Sequence, residues 1–449
     1  MSLAACEFKD QLLEPQNPGI IDPSAVSSPT AATALRVGAL GQFKGTTGAS
    51  ESMWRWGGML GDEFKTSDTF SQRNETDQRQ VQTNNGTWSP IYAAAQQTRG
   101  YLRDAIEKMT QFNGDQTTNI SELYMSLAFL EMQMAEDLCN GIPMGLARNG
   151  VVDYSDPAYK PKTNAEVYAI ASGHADTALS MSVGTDAASV LIHNAALVTK
   201  ARILVDLGQQ PAAGALVPTA AVPTSFQYLE SFSQTTTDNG LWTFNNSQGR
   251  YTVGDSTDTA NGVANVVKNA LPFVSANDPR VPVKAGTSFS PAIKPFDQST
   301  PLWVQQIWSN RGDDVPLVSG LDARLIEAET KLAGDDIAGM MTILNSLRAT
   351  PPTMGAFKPA AMAALATPAT KDAAVSLYFR EKAFWTFGRG QRLGDLRRLI
   401  RQYNRTQDNV FPSGVFFKGG AQYGQDVNLP VTDTEKTNPN FTGCIDRKA

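Results

Sequence analysis

One run, Phe379 to Leu399 (FREKAFWTFGRGQRLGDLRRL), constrains the fold more than any other stretch of the 449-residue chain. An aromatic helix is broken at Gly388 and Gly390 and restarts as a basic helix carrying Asp395, Arg397 and Arg398. The basic cluster as a whole, Arg389 to Arg405, is read as a solvated or ion-paired helix face. Helical periodicity recurs elsewhere. Leu123, Leu127, Leu130, Met134 and Leu138 fall on one stripe of a helix from Glu122 to Leu138, which marks that stripe as core. Met125, Met132 and Met134 on the same segment are read as gap-filling core residues rather than as an adaptable groove.

Two later segments share a hairpin pattern. Ala188 to Leu207 is an Ala-rich helix closed by Gly208, with Pro211 and a second short Ala-rich stretch behind it. Leu321, Leu325, Ala328 and Leu332 share one helix face closed by Gly334-Asp335, and Ile337, Met340, Leu344 and Leu347 continue on the next helix. Small residues let paired helices approach, and a glycine just past a helix permits a left-handed turn. A single hairpin cannot bury its own apolar face, so the pattern implies stacked, degenerate tetratricopeptide-like hairpins. Upstream, a helix is expected from Ala31 to Phe43, and Trp88 and Tyr92 open a long one that runs to about Met109.

From Gln227 to Pro316 the character changes. Ser, Thr, Asn, Gly and Asp dominate, with Trp242, Phe244, Tyr251, Trp303 and Trp308 among short extended runs such as Leu241-Trp242-Thr243-Phe244 and Tyr251-Thr252-Val253. This reads as loops and short strands inserted between scaffold helices. The expected fold class is mainly α: a tetratricopeptide-like helical hairpin scaffold with a loop-rich insertion containing short strands. Residues 1–30 are expected to be a tether, and 31–449 a single helical domain with the insertion at about 227–316.

Composition excludes several functions. With 41% hydrophobic and 18% charged residues the chain can bury a large core, and its net charge of -6 argues against nucleic acid, which needs a concentrated basic face. No apolar run is seen to approach the ~20 residues that cross a bilayer, and no signal with a charged start and apolar core is present. The segment Glu7 to Pro29 is polar and proline-punctuated. Before it, Leu3-Ala4-Ala5-Cys6 is similar to the end of a lipoprotein signal, with Met1 and Ser2 read as a remnant in place of the missing signal; the alternative is an incidental cysteine near a disordered start. If Cys6 carries lipid, Cys139 and Cys444 either form a disulfide in an oxidising compartment or remain two buried thiols. His174 and His193 are the only histidines, and no Cys-x-x-Cys or His-x-x-x-His spacing exists, which argues against a zinc centre. No Gly-x-Ser-x-Gly, P-loop or dinucleotide fingerprint appears either. Asp313-Asp314 and Asp335-Asp336 read as loop or helix-start acids. No catalytic residue, metal or cofactor is assigned.

The run from Phe379 to Leu399 resembles the C-terminal signature of the SusD/RagB family, in which a Glu-rich aromatic helix passes through a Gly-x-Arg turn into an Asp-Leu-x-Arg helix. Further similarities are Gly61-Asp62-Glu63-Phe64, Trp88 with Tyr92, Asn277-Asp278-Pro279-Arg280, a helix from Pro316 to Leu332 with Ala328-Glu329, and Asn438-Pro439-Asn440-Phe441. Arg389, Gln391 and Trp385 depart from the usual signature, which marks a divergent member and leaves the ligand open. The resemblance implies a non-catalytic, outer-membrane, cell-surface lipoprotein anchored at Cys6. It would capture glycans or peptides and pass them to a SusC-like TonB-dependent transporter. Flat aromatic faces and planar polar groups suit sugar rings and their hydroxyls. Trp242, Phe244 and Tyr251 in the insertion are therefore candidate ligand residues, Trp242 first, although rings under long loops also build small satellite cores. The family's use of the loop after the early acidic element adds Asp62, Asp68, Phe70 and Arg73. The competing reading is a helical-repeat scaffold that binds a peptide or protein.

Overall fold

Side-chain caps start the helices where the sequence turns amphipathic. In a computed structural model that describes residues 26–147, 151–260 and 262–449, Ser28 caps α1 (Pro29–Thr47), Thr163 and Glu166 form a capping box on α6 (Asn164–Met181), and Asp186 caps α7 (Ala187–Asp206). Ser319 caps α9 (Gly320–Ala333), and Asp336 caps α10 (Ile337–Ala349) as its reading as a helix-start acid requires. Cys6 and residues 1–25 of the tether expected over 1–30 lie outside the described residues.

Between these come α2 (Met53–Leu60), β1 (Phe64–Thr66), α3 (Ser71–Asp77), α4 (Trp88–Phe112), α5 (Thr117–Asp137), β2 (Ile142–Pro143), β3 (Pro161–Lys162) and α8 (Gln210–Leu216). Neighbouring helices pack as hairpins, α4 on α5, α5 on α6, α6 on α7 and α9 on α10, with α1 against α4. The stripe from Leu123 to Leu138 is buried, and so are Met125, Met132 and Met134. The architecture is mainly helical and tetratricopeptide-like. By length and mean hydropathy α7 could cross a membrane, which the sequence reading overlooked, but two thirds of it is buried among other helices.

Strands are short and occur in pairs. The insertion begins with β4 (Gln227–Glu230) and returns through β10 (Val315–Ser319), which pairs antiparallel with it, Val315 opposite Glu230. Within it lie β5 (Tyr251–Val253), β6 (Thr257–Ala260), β7 (Val263–Val266), β8 (Val283–Ala285) and β9 (Trp303–Gln305). Three local readings need correction. Leu241-Trp242-Thr243-Phe244 is not extended, because Trp242–Ser247 forms a π-helical turn whose first N–H groups donate to the Asn239 side chain. The helix expected from Pro316 starts only at Gly320, since 315–319 is strand. At the turn after α9 the left-handed residue is Asp335 (φ +61°), not Gly334.

The basic C-terminal cluster is largely interior. α11 (Lys371–Trp385) and α12 (Arg392–Tyr403) meet at a turn where Gly388 (φ +72°) and Gly390 (φ +70°) occupy the left-handed region. A Cβ on Gly390 would also fall 2.1 Å from the Trp54 ring. Around the turn, Arg389 pairs with Asp322 at 2.6 Å, Arg398 with Asp395 at 2.6 Å and with Glu329, and Arg280 with Glu381 at 2.7 Å, all of them buried. Only the far end, at Arg401 and beyond, reaches solvent. Cys139, just past α5, is disulfide-bonded to Cys444, with Cα atoms 6.0 Å apart, which settles the alternative left open by sequence.

Candidate functional site

β1 pairs with β5, Thr66 opposite Tyr251, so the chain leaving β1 runs beside the chain entering β5. Backbone hydrogen bonds join a third segment to these two: Ser67 N–H donates to Arg250 O (2.9 Å), Phe296 N–H to Gly249 O (2.8 Å) and Asp297 N–H to Ser67 O (2.9 Å). The side chains of the three segments then interleave. The Arg250 guanidinium lies 3.7 Å from the Phe296 ring centroid and 5.2 Å from that of Phe70. Arg73 lies 4.8 Å from Phe70 on one side and 5.0 Å from Phe244 on the other, and Phe244 packs on Tyr251 at 5.0 Å. The alternation of rings and guanidinium groups runs from the surface, where Phe70 is 46% and Phe296 40% exposed, into the core at Tyr251, Phe64 and Phe387. Each contact is attractive through the ring quadrupole, and the series fixes both outer rings in place.

Asp68 supplies the counter-charge. It accepts from Arg250 Nη1 at 2.7 Å and from Arg73 Nη1, and Phe70 N–H donates to its second oxygen at 3.1 Å. Burial acts to raise its pKa, but the bonds from Arg250 and Phe70 and the charge of Arg73 outweigh it and hold the carboxyl below its usual range. Next to it opens a cleft of about 580 Å³ lined by Asp68, Asp297, Thr300, Phe417 and Lys418. Lys418 Nζ bridges Asp297 (2.8 Å) and the backbone oxygen of Asp68 (2.7 Å). Burial opposes ionisation of Asp297 too, yet Lys418 and Thr300 pull its pKa down to about 2. The cleft is therefore walled by ionised carboxylates that are themselves covered, Asp68 fully and Asp297 nearly so, and it offers the partly exposed Lys418 ammonium and the exposed Ser299, with the exposed rings of Phe70 and Phe296 on the adjoining chain. Such a surface can stack a flat apolar face and hydrogen-bond the polar groups around its edge. Among the described residues no cluster of His, Cys, Asp and Glu is placed to hold a metal.

No known family profile and no curated protein matches the sequence. Solved structures do. A SusD superfamily protein from Bacteroides vulgatus ATCC 8482 superimposes with a TM-score of 0.62 at 14% identity, covering 93% of this chain and 99% of that one. A SusD-like carbohydrate binding protein from the same organism gives 0.63 at 14% identity, with 93% and 98% covered. A SusD/RagB family protein from Bacteroides thetaiotaomicron VPI-5482 gives 0.63 at 11% identity, with 92% and 95% covered. The chain has the SusD-like fold.

Within this SusD-like fold, five of the seven residues singled out from sequence come together: Asp68, Phe70, Arg73, Phe244 and Tyr251. Their roles differ from those expected. Phe244 (5% exposed) and Tyr251 (0%) are not an exposed platform but the buried base of the series, because Tyr251 of β5 lies against Phe64 of β1 and Phe244 packs between Tyr251 and Arg73. Asp62 does not join them. It is buried in a two-point ion pair with Arg392 (2.6 and 2.8 Å) and accepts from Leu271 N–H, so it holds the fold together. Trp242 is half-buried at the start of the π-helical turn that also carries Phe244. Arg250 and Phe296 were not singled out. Arg250 directly precedes the strand residue Tyr251, which was the available signal, whereas nothing around Phe296 distinguishes it from other loop aromatics.

Proposed function

We propose that this protein is a non-catalytic glycan-binding lipoprotein of the outer membrane, anchored at the cell surface through Cys6. It hands captured oligosaccharides to a SusC-like TonB-dependent transporter. The observation that carries the reading is the pair of exposed rings, Phe70 and Phe296, stacked on either side of Arg250 on the same segments that carry Asp68 and Asp297 of a polar cleft. A sugar ring has an apolar face and an edge of hydroxyls, and this surface offers partners for both. The SusD-like fold supports the same role, since two of the solved structures that share it are described as SusD-like carbohydrate binding proteins. Lipid attachment rests on Leu3-Ala4-Ala5-Cys6, and delivery to the transporter rests on the resemblance to the family.

The test is a glycan and peptide array probed with the purified protein, followed by titration of each hit against Phe70→Ala and Phe296→Ala. Glycan hits weakened by both substitutions support the reading. Peptide hits alone would favour the helical-repeat scaffold, and hydrolysis of a bound glycan would end the non-catalytic account.

A further inference from the structure

A second cleft, also about 580 Å³, shares no lining residue with the first. Its floor is the exposed face of α4, its wall is the chain from Pro143 to Ala147 with Tyr154 and Tyr159, and its far edge is Glu435 and Asn438. The wall is preformed. Gln96, Arg99 and Arg103, at successive turns of α4, donate to the carbonyls of Pro143 (2.8 Å), Met144 (3.1 Å) and Ala147 (2.6 Å). Gln97, Gly100, Tyr101 and Asp104 line the cleft beside them.

Two features point to a ligand. Tyr159 lies flat against Gly145, where a Cβ would come within 2.4 Å of the ring, and Tyr154 meets it edge-on at 5.3 Å. Tyr159 is 8% exposed, and its hydroxyl has no hydrogen-bond partner among the described residues, which a buried polar group seldom tolerates. The second feature is Gly100, in the middle of a 25-residue helix, where glycine is unfavourable. A Cβ there would meet nothing within 4 Å, so packing does not ask for glycine. Gly38, Gly41, Gly45 and Gly173 are equally unconstrained, but none of them lines this cleft, whereas Gly100 keeps its floor open.

We infer that this cleft is a second saccharide site, taking an uncharged oligosaccharide whose hydroxyl satisfies Tyr159 and whose ring lies over Gly100. Charge favours a neutral ligand. Arg103 and Lys108 stand against Asp104, Glu107 and Glu435, Arg103 is already paired with Asp104 at 2.5 Å, and Glu435 accepts from Tyr92 at 2.7 Å. Two separate sites on one chain would hold a polymer at two points and gain avidity from the link between them.

The inference shares the glycan reading of the first site but is tested separately from it. Maltohexaose, cellohexaose, mannohexaose and xylohexaose are titrated by calorimetry into the wild-type protein, Gly100→Trp, Gln97→Ala and Phe70→Ala. Circular dichroism serves as the fold control, and both α4 substitutions lie on a solvent-facing helix surface. The expected result is two equivalents bound by wild type, one by Gly100→Trp, and a several-fold weakening of that same event in Gln97→Ala. A single event lost in Gly100→Trp but kept in Phe70→Ala would support this site and remove the first. A single event lost only in Phe70→Ala, or no binding of any of the four sugars, would overturn the second site.

Discussion

Asp62 and Arg392, 330 residues apart, form a two-point ion pair at 2.6 and 2.8 Å inside the protein. One residue along, Gly388 N–H donates to Glu63 at 2.9 Å, so the acidic turn after α2 and the glycine turn before α12 are locked together by adjacent side chains. Removing one partner leaves a buried charge uncompensated. Arg392→Ala should cost about 3–5 kcal/mol in denaturant unfolding, and Asp62→Leu combined with Arg392→Met should cost less than Arg392→Ala alone. Equal losses for the single and double variants would show that the pair itself contributes most of the effect.

The same junction makes stability depend on pH. Burial raises Glu63 to about 8, as it does Asp137 and Glu230, and raises Asp77 to about 7. A carboxyl whose folded pKa is raised binds more protons folded than unfolded between its ordinary pKa and the raised one. These groups therefore make stability fall as pH rises from about 4.5 to about 8. Asp68, Asp297, Asp322 and Asp395 act oppositely, since their folded pKa values are depressed and their contribution is lost as pH falls below about 4. Melting temperature should thus peak in mild acid. Glu63→Gln, which keeps an acceptor for Gly388, should match wild type near pH 4.5 and exceed it at pH 8 by an amount on the order of a few kcal/mol. A variant destabilised equally at both pH values would refute this.

The disulfide between Cys139 and Cys444 joins the end of α5 to the last segment of the chain. Its loss in Cys139→Ser/Cys444→Ser should cost about 2–5 kcal/mol. Comparing the urea midpoints of the oxidised wild type and the double variant measures it, and coincident curves would show that the tail is held by packing alone.

Membrane attachment should depend on Cys6. The proposed lipid anchor predicts that a signal-bearing Cys6→Ser variant leaves the outer-membrane fraction when the transporter is absent. Full retention of that variant would exclude lipidation as the anchor.

The helical part of the fold was legible because periodicity is local. The stripe from Leu123 to Leu138 and the faces of α9 and α10 show in the residues themselves, and they are buried except for Ile337 at the start of α10, which is half-buried. Contacts between distant segments were not legible. Nothing near Asp62 announces Arg392, so an interior ion pair looked like a ligand contact. The aromatics of the insertion show the same limit. Polar neighbours make Phe244 and Tyr251 look exposed, but Tyr251 is buried where β5 pairs with β1 and Phe244 where it packs on Tyr251 and Arg73, while Phe70 and Phe296 stay at the surface. The π-helical turn at Trp242 escaped notice because alternating Trp and Phe suggest a strand, whereas the Asn239 cap dictates a turn.

The central claim is that a glycan is bound, unchanged, against Phe70 and Phe296. The most direct measurement is calorimetric titration of an array-selected oligosaccharide into wild type and Phe296→Ala, with product analysis of the mixture afterwards. Each stacked ring contributes about 1 kcal/mol, so affinity should fall about fivefold in Phe296→Ala with melting temperature unchanged and the sugar recovered intact. Unchanged affinity in Phe296→Ala, or a shortened sugar in the wild-type mixture, would contradict the account.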